Sequence, residues 1–442
     1  MVNKSQLPGS KAKAWVERDA AAISPSYTRS YPFVIDHGRG SEVWDVDGNR
    51  FIDFNAGIAV TATGHAHPNV VKAIKQQAEK FIHMSGTDFY YPVQIELAEK
   101  LNALVPIEEE TTVFFANSGA ESVEAAFKLA RYYTGRPRML AFIGAFHGRT
   151  MGALSLTASK YVQRKGFAPL VPGVTHVPYG YCYRCPFHME YPSCSIHCVD
   201  YIEETLFRYF VPAEEVAAIF VEPIQGEGGY VVPPPEWHSR LKALMDKYGI
   251  LYVADEVQTG FGRTGKMFAI EHWGVEPDII CMAKGIASGM PLGAMVARKS
   301  LMTWPPGAHA STFGGNPVSC AAALATIDLI ENGLMENAAR MGQWMMARLQ
   351  EMAKDHPSMG DVRGKGLMIG VELVKDKETK EPAPDIRDNI AQLAFRKGLL
   401  LLGCGPNTIR FMPALNISQD IADEGLTIFE EVLTEAEEEA GF

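Results

Sequence analysis

The sequence predicts an α/β fold built on a mostly parallel sheet with helices on both faces. The middle of the 442-residue chain alternates short, continuously apolar runs with amphipathic segments of helical period. Strands that are apolar throughout are typical of sheets covered on both faces, and helices between them supply the parallel crossovers. The predicted strands are Val113–Ala116, Met139–Ile143, Ala217–Val221, Ile250–Ala254 and Ile279–Met282.

Two segments between these strands predict helices. Within Glu121–Tyr133, an i, i+3, i+4, i+7 apolar spacing is formed by Val123, Ala126, Phe127 and Ala130. Glu236–Lys247 also carries its apolar residues on one side, and Gly249 follows as an end signal.

The pattern changes on both sides of this region, which predicts a second, smaller α+β domain. Residues 31–60 contain strand-like pieces around an Asp-Gly-Asn turn. After residue 325 a long helical pattern leads to a strand at Leu367–Val374, with Asp361–Gly366 predicted as the turn before it. We therefore expect an N-terminal segment, 1–65, that joins the small domain, a large domain at 66–324, and the small domain at 325–442.

Composition excludes several classes of protein. The net charge is −11 with no basic cluster, which argues against nucleic acid and anionic membranes as partners. The opening MVNKSQLPGS lacks an apolar stretch, so no secretory signal is predicted. No uninterrupted apolar run approaches the roughly 18 residues of a membrane span. These features predict a cytoplasmic enzyme.

The first predicted strand leads directly into a candidate anion site. Asn117-Ser118-Gly119-Ala120-Glu121 follows Ala116 and opens a helix, and Ser118 with Glu121 fits a capping box. The small residues leave backbone N–H groups accessible at the positive end of the helix dipole. A plain helix cap is the alternative for this segment taken alone.

Polar side chains end three further strands. Glu222 and Glu227 follow one strand, Asp255 ends the next, and Lys284 follows the third. Ligands of open α/β sheets bind at the carboxyl ends of the strands. A desolvated lysine has a lowered pKa and becomes a nucleophile toward carbonyl groups. A phosphate site, such a lysine and a carboxylate for a pyridine nitrogen are together the parts of a pyridoxal phosphate site.

Ordered motifs along nearly the whole chain resemble the class III (ω-) aminotransferases of pyridoxal phosphate fold type I, with most similarity to 4-aminobutyrate aminotransferases. These motifs are NAGIAV from Asn55, GHAHP from Gly64, NSGAESVE from Asn117, GAFHGRT from Gly144, VEPIQGEGG from Val221, ADEVQTGFGRTGK from Ala254, AKGIASGMPLG from Ala283, STFGGNP from Ser311 and IRFMP from Ile409.

The resemblance implies a set of residues for pyridoxal 5'-phosphate. Lys284 is implied as the lysine that binds the cofactor covalently and moves the substrate proton, and Asp255 as the partner of the pyridine nitrogen. The other implied cofactor-binding residues are Ser118, Gly119 and Ala120 at the phosphate, Phe146 and Val257 on the ring faces, Gln258 at the ring hydroxyl, His147, and Thr312 reaching the phosphate of a neighbouring subunit.

The resemblance also implies how substrates are held. Arg410 is similar to the arginine that pairs with an α-carboxylate, and Glu227 to the carboxylate that neutralises it when an ω-amine is bound. Arg149 resembles the clamp for the distal carboxylate. Ile58 stands where ornithine aminotransferases tend to carry a tyrosine, which favours 4-aminobutyrate. Glu222, grouped with the substrate-binding residues, either is catalytic or only orders the edge of the site.

The implied enzyme is a homodimer that transfers the amine of 4-aminobutyrate, or a similar ω-amine, to 2-oxoglutarate. Two alternatives remain: transfer from the side-chain amine of ornithine or lysine, and racemisation of amino acids. Racemisation stays open because some fold-mates with a similar cysteine insertion resemble racemases.

One insertion, at residues 180–199, is rich in cysteine. Cys182, Cys185, Cys194 and Cys198 form a C-x2-C-x8-C-x3-C pattern that many members of the family lack. A structural zinc site and a loop of reduced or disulfide-linked cysteines are both compatible with this spacing.

Overall fold

A seven-stranded sheet forms the centre of the structure, a computed structural model that describes residues 7–442. The start of the predicted N-terminal segment, including most of the polar opening, lies outside the described residues. The strands are β1 Ile35–Arg39, β2 Glu42–Asp45, β3 Arg50–Asp53, β4 Thr111–Ala116, β5 Arg138–Phe142, β6 Val174–Val177, β7 Val216–Val221, β8 Leu251–Asp255, β9 Ile279–Met282, β10 Gly293–Arg298, β11 Met359–Lys365, β12 Met368–Leu373, β13 Leu399–Leu400, β14 Leu402–Cys404 and β15 Thr408–Phe411.

The α-helices lie between and around these strands. They are α1 Ser10–Ala22, α2 Ala56–Ala59, α3 Pro68–Lys80, α4 Pro92–Leu104, α5 Gly119–Thr134, α6 Met151–Leu156, α7 His197–Tyr201, α8 Trp237–Tyr248, α9 Pro317–Leu329, α10 Met335–Asp355, α11 Pro384–Lys397 and α12 Gln419–Ala440. The two helices predicted from periodicity correspond to α5 and α8.

The central sheet has the order β4-β10-β9-β8-β7-β5-β6. Its pairings are parallel except those of β10, which is antiparallel to both β4 and β9. Successive residues of β7 alternate between two buried clusters, with Ile219 and Val221 in one and Ala218 and Phe220 in the other. The predicted α/β class, with a mostly parallel sheet covered on both faces, is therefore confirmed.

Two four-stranded sheets are formed by the ends of the chain. One has the order β1-β2-β3-β13, in which the C-terminal β13 pairs in parallel with the N-terminal β3. The other has the order β11-β12-β15-β14. The division into domains at residues 65 and 324 stays a prediction.

One local prediction is wrong. Asp361–Gly366 is not simply a turn, because residues 359–365 form β11, which pairs antiparallel with β12 around a tight connection at Gly366. Asp361 and Arg363 bond to each other and Arg363 also pairs with Glu372 of β12, so charged residues occupy this strand as partners of one another. The sequence shows only their polarity.

Among the described residues, one helical run, Pro317–Asp355, is long and apolar enough to cross a membrane by length and composition alone. This run does not stand out in the sequence, because polar residues interrupt it. In the structure α9 packs against α3 and α4, and 44% of the most apolar window of the run is buried. A core helix passes the same test.

Candidate active site

A cavity of about 460 Å³ lies at the carboxyl ends of β4, β7, β8 and β9. The expected residues that line it are Ser118, Gly119, Ala120, Phe146, His147, Arg149, Glu222, Glu227, Asp255, Val257, Gln258 and Lys284. Three expected residues do not line it: Ile58, Thr312 and Arg410. Parallel strands present their carboxyl ends at one edge of the sheet. Ser118 and Lys284, which are 166 positions apart in the sequence, therefore line the same cavity.

Lys284 follows β9 in a strained backbone conformation. Its φ is +45°, in the left-handed region that side chains other than glycine rarely adopt. Within residues 7–442 its amine forms no hydrogen bond or ion pair. Burial, together with the charge of Arg410, lowers the pKa of Lys284 to about 8, while Asp255 and Glu222 act in the opposite direction. Strain at an unpartnered, readily deprotonated amine is typical of a functional lysine.

Asp255 is held by a buried histidine. Its Oδ2 lies 2.7 Å from Nδ1 of His147, and its Oδ1 accepts from the N–H of Val257 at 3.0 Å. Burial alone would lower the pKa of His147, but the hydrogen bond to Asp255 and its charge outweigh burial and raise it. This pairing holds the Asp255 carboxyl group at the cavity.

The helix α5 begins at the cavity, as the sequence predicts. Oγ of Ser118 accepts from the N–H of Glu121 at 3.3 Å. The capping box is only half formed, because the Glu121 carboxylate accepts from the N–H of Asn117 at 2.6 Å instead of returning to Ser118. A Cβ on Gly119 would lie 2.7 Å from a methyl carbon of Val257, so only glycine allows this close approach.

Glu222 orders the edge of the site. Its Oε2 accepts from the N–H of Phe146 and its Oε1 from the N–H of Gly226, both at 3.0 Å. Burial raises its pKa to about 7, although His147 opposes this. The two backbone bonds fix the Phe146 loop relative to β7, while the side chain also lines the cavity.

An ion pair connects the cavity to the small sheet that contains β15. Nη1 of Arg410 lies 3.1 Å from Oε2 of Glu227, and the arginine side chain is only 6% exposed. Glu227 has a second partner that sequence reasoning missed, because Nζ of Lys160 lies 2.7 Å from its Oε1. Lys160 stands in a polar stretch, TASKYVQRK, with no motif to distinguish it.

Arg149 remains available to an anion. It lines the cavity, and its guanidinium lies 5.6 Å from the ring centroid of Phe146. It forms no ion pair with a carboxylate in the part of the chain that the structure describes. An arginine without a counter-charge at a cavity is suited to bind a ligand carboxylate.

Ile58 and Thr312 lie outside the cavity. Ile58 is 40% exposed and has a φ of +65°, an unusual conformation for a β-branched residue. Thr312 is also exposed, although its neighbour Ser311 accepts from the Asn117 side chain at 3.2 Å. The role of Thr312 in a neighbouring subunit stays a prediction, as does the homodimer.

The four cysteines of the insertion are free thiols and line one small cavity of about 20 Å³. Burial raises the pKa of both Cys182 and Cys198 to about 11. No group of three or more His, Cys, Asp or Glu side chains within residues 7–442 is placed to hold a metal ion. The choice between a structural zinc site and a loop of reduced or disulfide-linked cysteines stays a prediction. Nearby, Tyr181 and Arg184 bond to the buried Glu372, which ties the insertion to β12.

A buried lysine, a carboxylate and a helix N-terminus at one sheet edge define an enzyme that works with pyridoxal phosphate. The family model for aminotransferase class III matches residues 23–433, and the chain belongs to this family. It is a pyridoxal phosphate-dependent enzyme of fold type I.

Relatives within the family differ in activity. The chain is 44% identical to an alanine/serine racemase from Pyrococcus horikoshii, over 96% of this chain and 91% of that protein. It is 42% identical to a 4-aminobutyrate aminotransferase from Mycobacterium tuberculosis, over 96% of each chain. A solved (S)-enantioselective omega-transaminase from Thermomicrobium roseum superposes with a TM-score of 0.89 at 35% identity, over 98% of this chain and 99% of that one.

The cavity residues fit the cofactor. Within residues 7–442 the Lys284 amine has no partner. His147 holds the Asp255 carboxyl group, which can pair with a protonated ring nitrogen. Two further buried polar atoms at the cavity, Nε2 of His147 and Oε1 of Gln258, have no partner within the described residues. Unsatisfied buried polar atoms are uncommon in folded proteins and indicate a bound group.

The lowered pKa of Lys284 predicts how the cofactor-free protein captures pyridoxal phosphate. Only the neutral amine attacks a carbonyl, so the capture rate should rise with pH and level off above a midpoint near 8. An ordinary lysine would give a midpoint near 10.4. Stopped-flow absorbance of cofactor-free enzyme mixed with pyridoxal phosphate, from pH 6.5 to 10, measures it.

Arg410→Gln serves as the second variant for this experiment. Removal of a positive charge that lowers the pKa of Lys284 should move the midpoint to higher pH. A midpoint at the ordinary lysine value in the unaltered protein would contradict the expected desolvation of Lys284.

Proposed function

We propose that the protein transfers the amino group of an ω-amino acid, 4-aminobutyrate as the best candidate, to 2-oxoglutarate. The observation that carries this proposal is the pair of arginines near Lys284, one free and one neutralised. Among residues 7–442 Arg149 lines the cavity without a carboxylate partner, whereas Arg410 is paired with Glu227 at 3.1 Å. This arrangement suits a donor with one distant carboxylate.

The cofactor would be held by residues that the cavity brings together. We assign the phosphate to the N-terminus of α5 at Ser118, Gly119 and Ala120, where backbone N–H groups and the helix dipole favour an anion. Phe146 and Val257 would enclose the ring, with His147 supporting Asp255 and Gln258 contacting the ring hydroxyl. When bound, pyridoxal phosphate withdraws electrons from the substrate carbon.

Lys284 supplies the proton transfers in this proposal. Its amine would first bind the cofactor and then, once released, accept a proton from the substrate carbon on Nζ. A pKa near 8 suits this task, because a general base works best when its pKa lies close to the operating pH.

The two arginines would sort the two substrates. An ω-amino acid places its carboxylate on Arg149. The donor has no second carboxylate for Arg410, so Glu227 stays in place and compensates the positive charge of that arginine. A 2-oxo dicarboxylic acid brings a second carboxylate, next to the reacting carbon, which displaces Glu227 from Arg410. A charged hydrogen bond contributes about 1.5–3 kcal/mol, enough for this exchange to control binding.

A second candidate is racemisation of neutral amino acids, favoured by the racemases among the relatives at 44% identity. An α-amino acid would use Arg410 for its carboxylate and leave Arg149 without a partner. The ion pair of Glu227 with Arg410 favours transamination, since Glu227 already occupies Arg410.

A single-turnover experiment separates the two functions. Enzyme loaded with pyridoxal phosphate is mixed with excess 4-aminobutyrate without any oxo acid, and products are quantified by chromatography. We expect one equivalent of succinate semialdehyde per active site, followed by L-glutamate once 2-oxoglutarate is added. L-Ornithine and L-leucine are run in parallel. Formation of D-leucine beyond one equivalent, with no aldehyde from 4-aminobutyrate, would replace transamination by racemisation.

A further inference from the structure

Glu227 is shared between two cations that come from different parts of the fold. Nη1 of Arg410, on β15, contacts Oε2 of the carboxylate at 3.1 Å, and Nζ of Lys160 contacts Oε1 at 2.7 Å. The two cations differ in exposure, since the side chain of Arg410 is 6% exposed and that of Lys160 is 36% exposed. The carboxylate therefore lies between an inner, buried cation and an outer, partly solvated one.

The charges favour a cluster that can accept one more anion. Burial would raise the pKa of Glu227, but the positive charges of Arg410 and Lys160 outweigh burial and lower it. Glu227 is therefore a carboxylate, and the three side chains carry a net charge of +1. A carboxylate arriving at Arg410 brings the cluster to neutrality. Without Lys160 the same arrival would leave two carboxylates facing one arginine.

The backbone around Lys160 is fixed, while its side chain reaches out to Glu227. Before it, the carbonyl oxygen of Thr157 accepts from Arg164 at 2.6 Å. The Ser159 hydroxyl, directly before Lys160, donates to Oε1 of Gln163 at 2.7 Å, and this bond spans Lys160 and closes a short helical turn. Lys160 thus extends from an ordered turn, and the flexible methylene chain lets its ammonium follow the carboxylate.

We propose that Lys160 is the alternative partner of Glu227: it retains this carboxylate when a dicarboxylic 2-oxo acid takes Arg410. Lys160 is then a positioning residue that determines specificity for the second substrate, and it touches neither the substrate nor the reacting atoms. This inference rests on the proposed function, because it requires that one substrate brings a carboxylate to Arg410 and the other does not.

The test compares two carboxylic acids that carry no amine and do not react. Glutarate has the chain length of 2-oxoglutarate and engages both arginines, whereas pentanoate engages only Arg149. Their dissociation constants are measured on the holoenzyme by calorimetry for the unaltered protein, Lys160→Gln and Lys160→Arg. Lys165→Gln is the matched control, because this exposed lysine lies in the same segment and does not contact Glu227.

Lys160→Gln should weaken glutarate binding by about 2- to 5-fold, the upper part of the range for a partly exposed ion pair, and change pentanoate binding less than twofold. Lys160→Arg should restore glutarate binding, and Lys165→Gln should change neither acid. If Lys160→Gln weakens the binding of glutarate and pentanoate equally, or leaves glutarate binding unchanged, the inference is wrong.

The two proposals fail in different ways. If glutarate binds the unaltered holoenzyme no better than pentanoate, Arg410 takes no substrate carboxylate, and both the proposed function and this inference are wrong. If glutarate binds better but Lys160→Gln has no effect, only the inference is wrong. Thermal unfolding of each variant shows whether a loss of affinity reflects loss of folded protein.

Discussion

Lys284→Ala abolishes turnover and leaves the fold intact. The amine is both the cofactor's attachment point and the proposed base, so its loss should lower kcat by at least about 10³-fold. Folding should be unaffected, because the side chain makes no hydrogen bond or ion pair within residues 7–442 and alanine meets the same backbone strain at a φ of +45°. Steady-state turnover and thermal unfolding of the cofactor-free protein measure the two effects.

Two further variants complete this experiment. Lys284→Arg keeps the charge but cannot serve as a neutral amine at working pH, so it should be as inactive as the alanine variant. Lys266→Ala removes an exposed lysine from a nearby glycine-rich segment and should retain full activity. Activity in Lys284→Ala within tenfold of the unaltered protein would overturn the assignment of this lysine.

The strand ends of the central sheet were predictable because their signals are local. β7, β8 and β9 are buried along their whole length, so the sequence shows uninterrupted apolar runs. A lysine or carboxylate that directly follows such a run must lie at the edge of the sheet. The topological rule then places these side chains around one cavity without any knowledge of the angles between strands.

Antiparallel β10 escaped prediction because its sequence, GAMVAR, is short and rich in small residues. The reason for its first residue is visible only in three dimensions. A Cβ on Gly293 would lie 2.3 Å from the carbonyl oxygen of Ser118, so the strand passes against the start of α5. Glycine is required at position 293 because of a contact with Ser118, which lies 175 positions away in the sequence. Such a requirement does not appear as a periodic pattern of apolar residues.

Lys160 was not predicted from the sequence for a related reason. Its partner Glu227 is 67 positions away and belongs to a motif, whereas Lys160 itself stands among other polar surface residues. Residue type alone does not distinguish it from Lys165. Long-range ion pairs of this kind, like the one between Arg184 and Glu372, depend on loop paths that apolar periodicity does not describe.

Glu227→Gln shifts donor preference from ω-amines toward α-amino acids. The change keeps the shape of the side chain but removes the charge that neutralises Arg410 at 3.1 Å. The buried charge of Arg410 is then uncompensated, which penalises a donor that brings no carboxylate to it and favours one that does. We expect kcat/KM for 4-aminobutyrate to fall about 10- to 150-fold, the equivalent of one charged hydrogen bond of 1.5–3 kcal/mol.

The acceptor should respond in the opposite direction, and this contrast makes the prediction specific. A 2-oxo dicarboxylic acid no longer has to displace a carboxylate, so KM for 2-oxoglutarate should stay the same or decrease. Stopped-flow measurement of each half-reaction separates the two effects, and L-glutamate as donor reports the second. Glu204→Gln, an exposed glutamate far from the cavity, is the matched control. An equal loss in both half-reactions would mean that Glu227 only supports the structure of the site, because a structural defect has no reason to distinguish substrates by the position of their carboxylates.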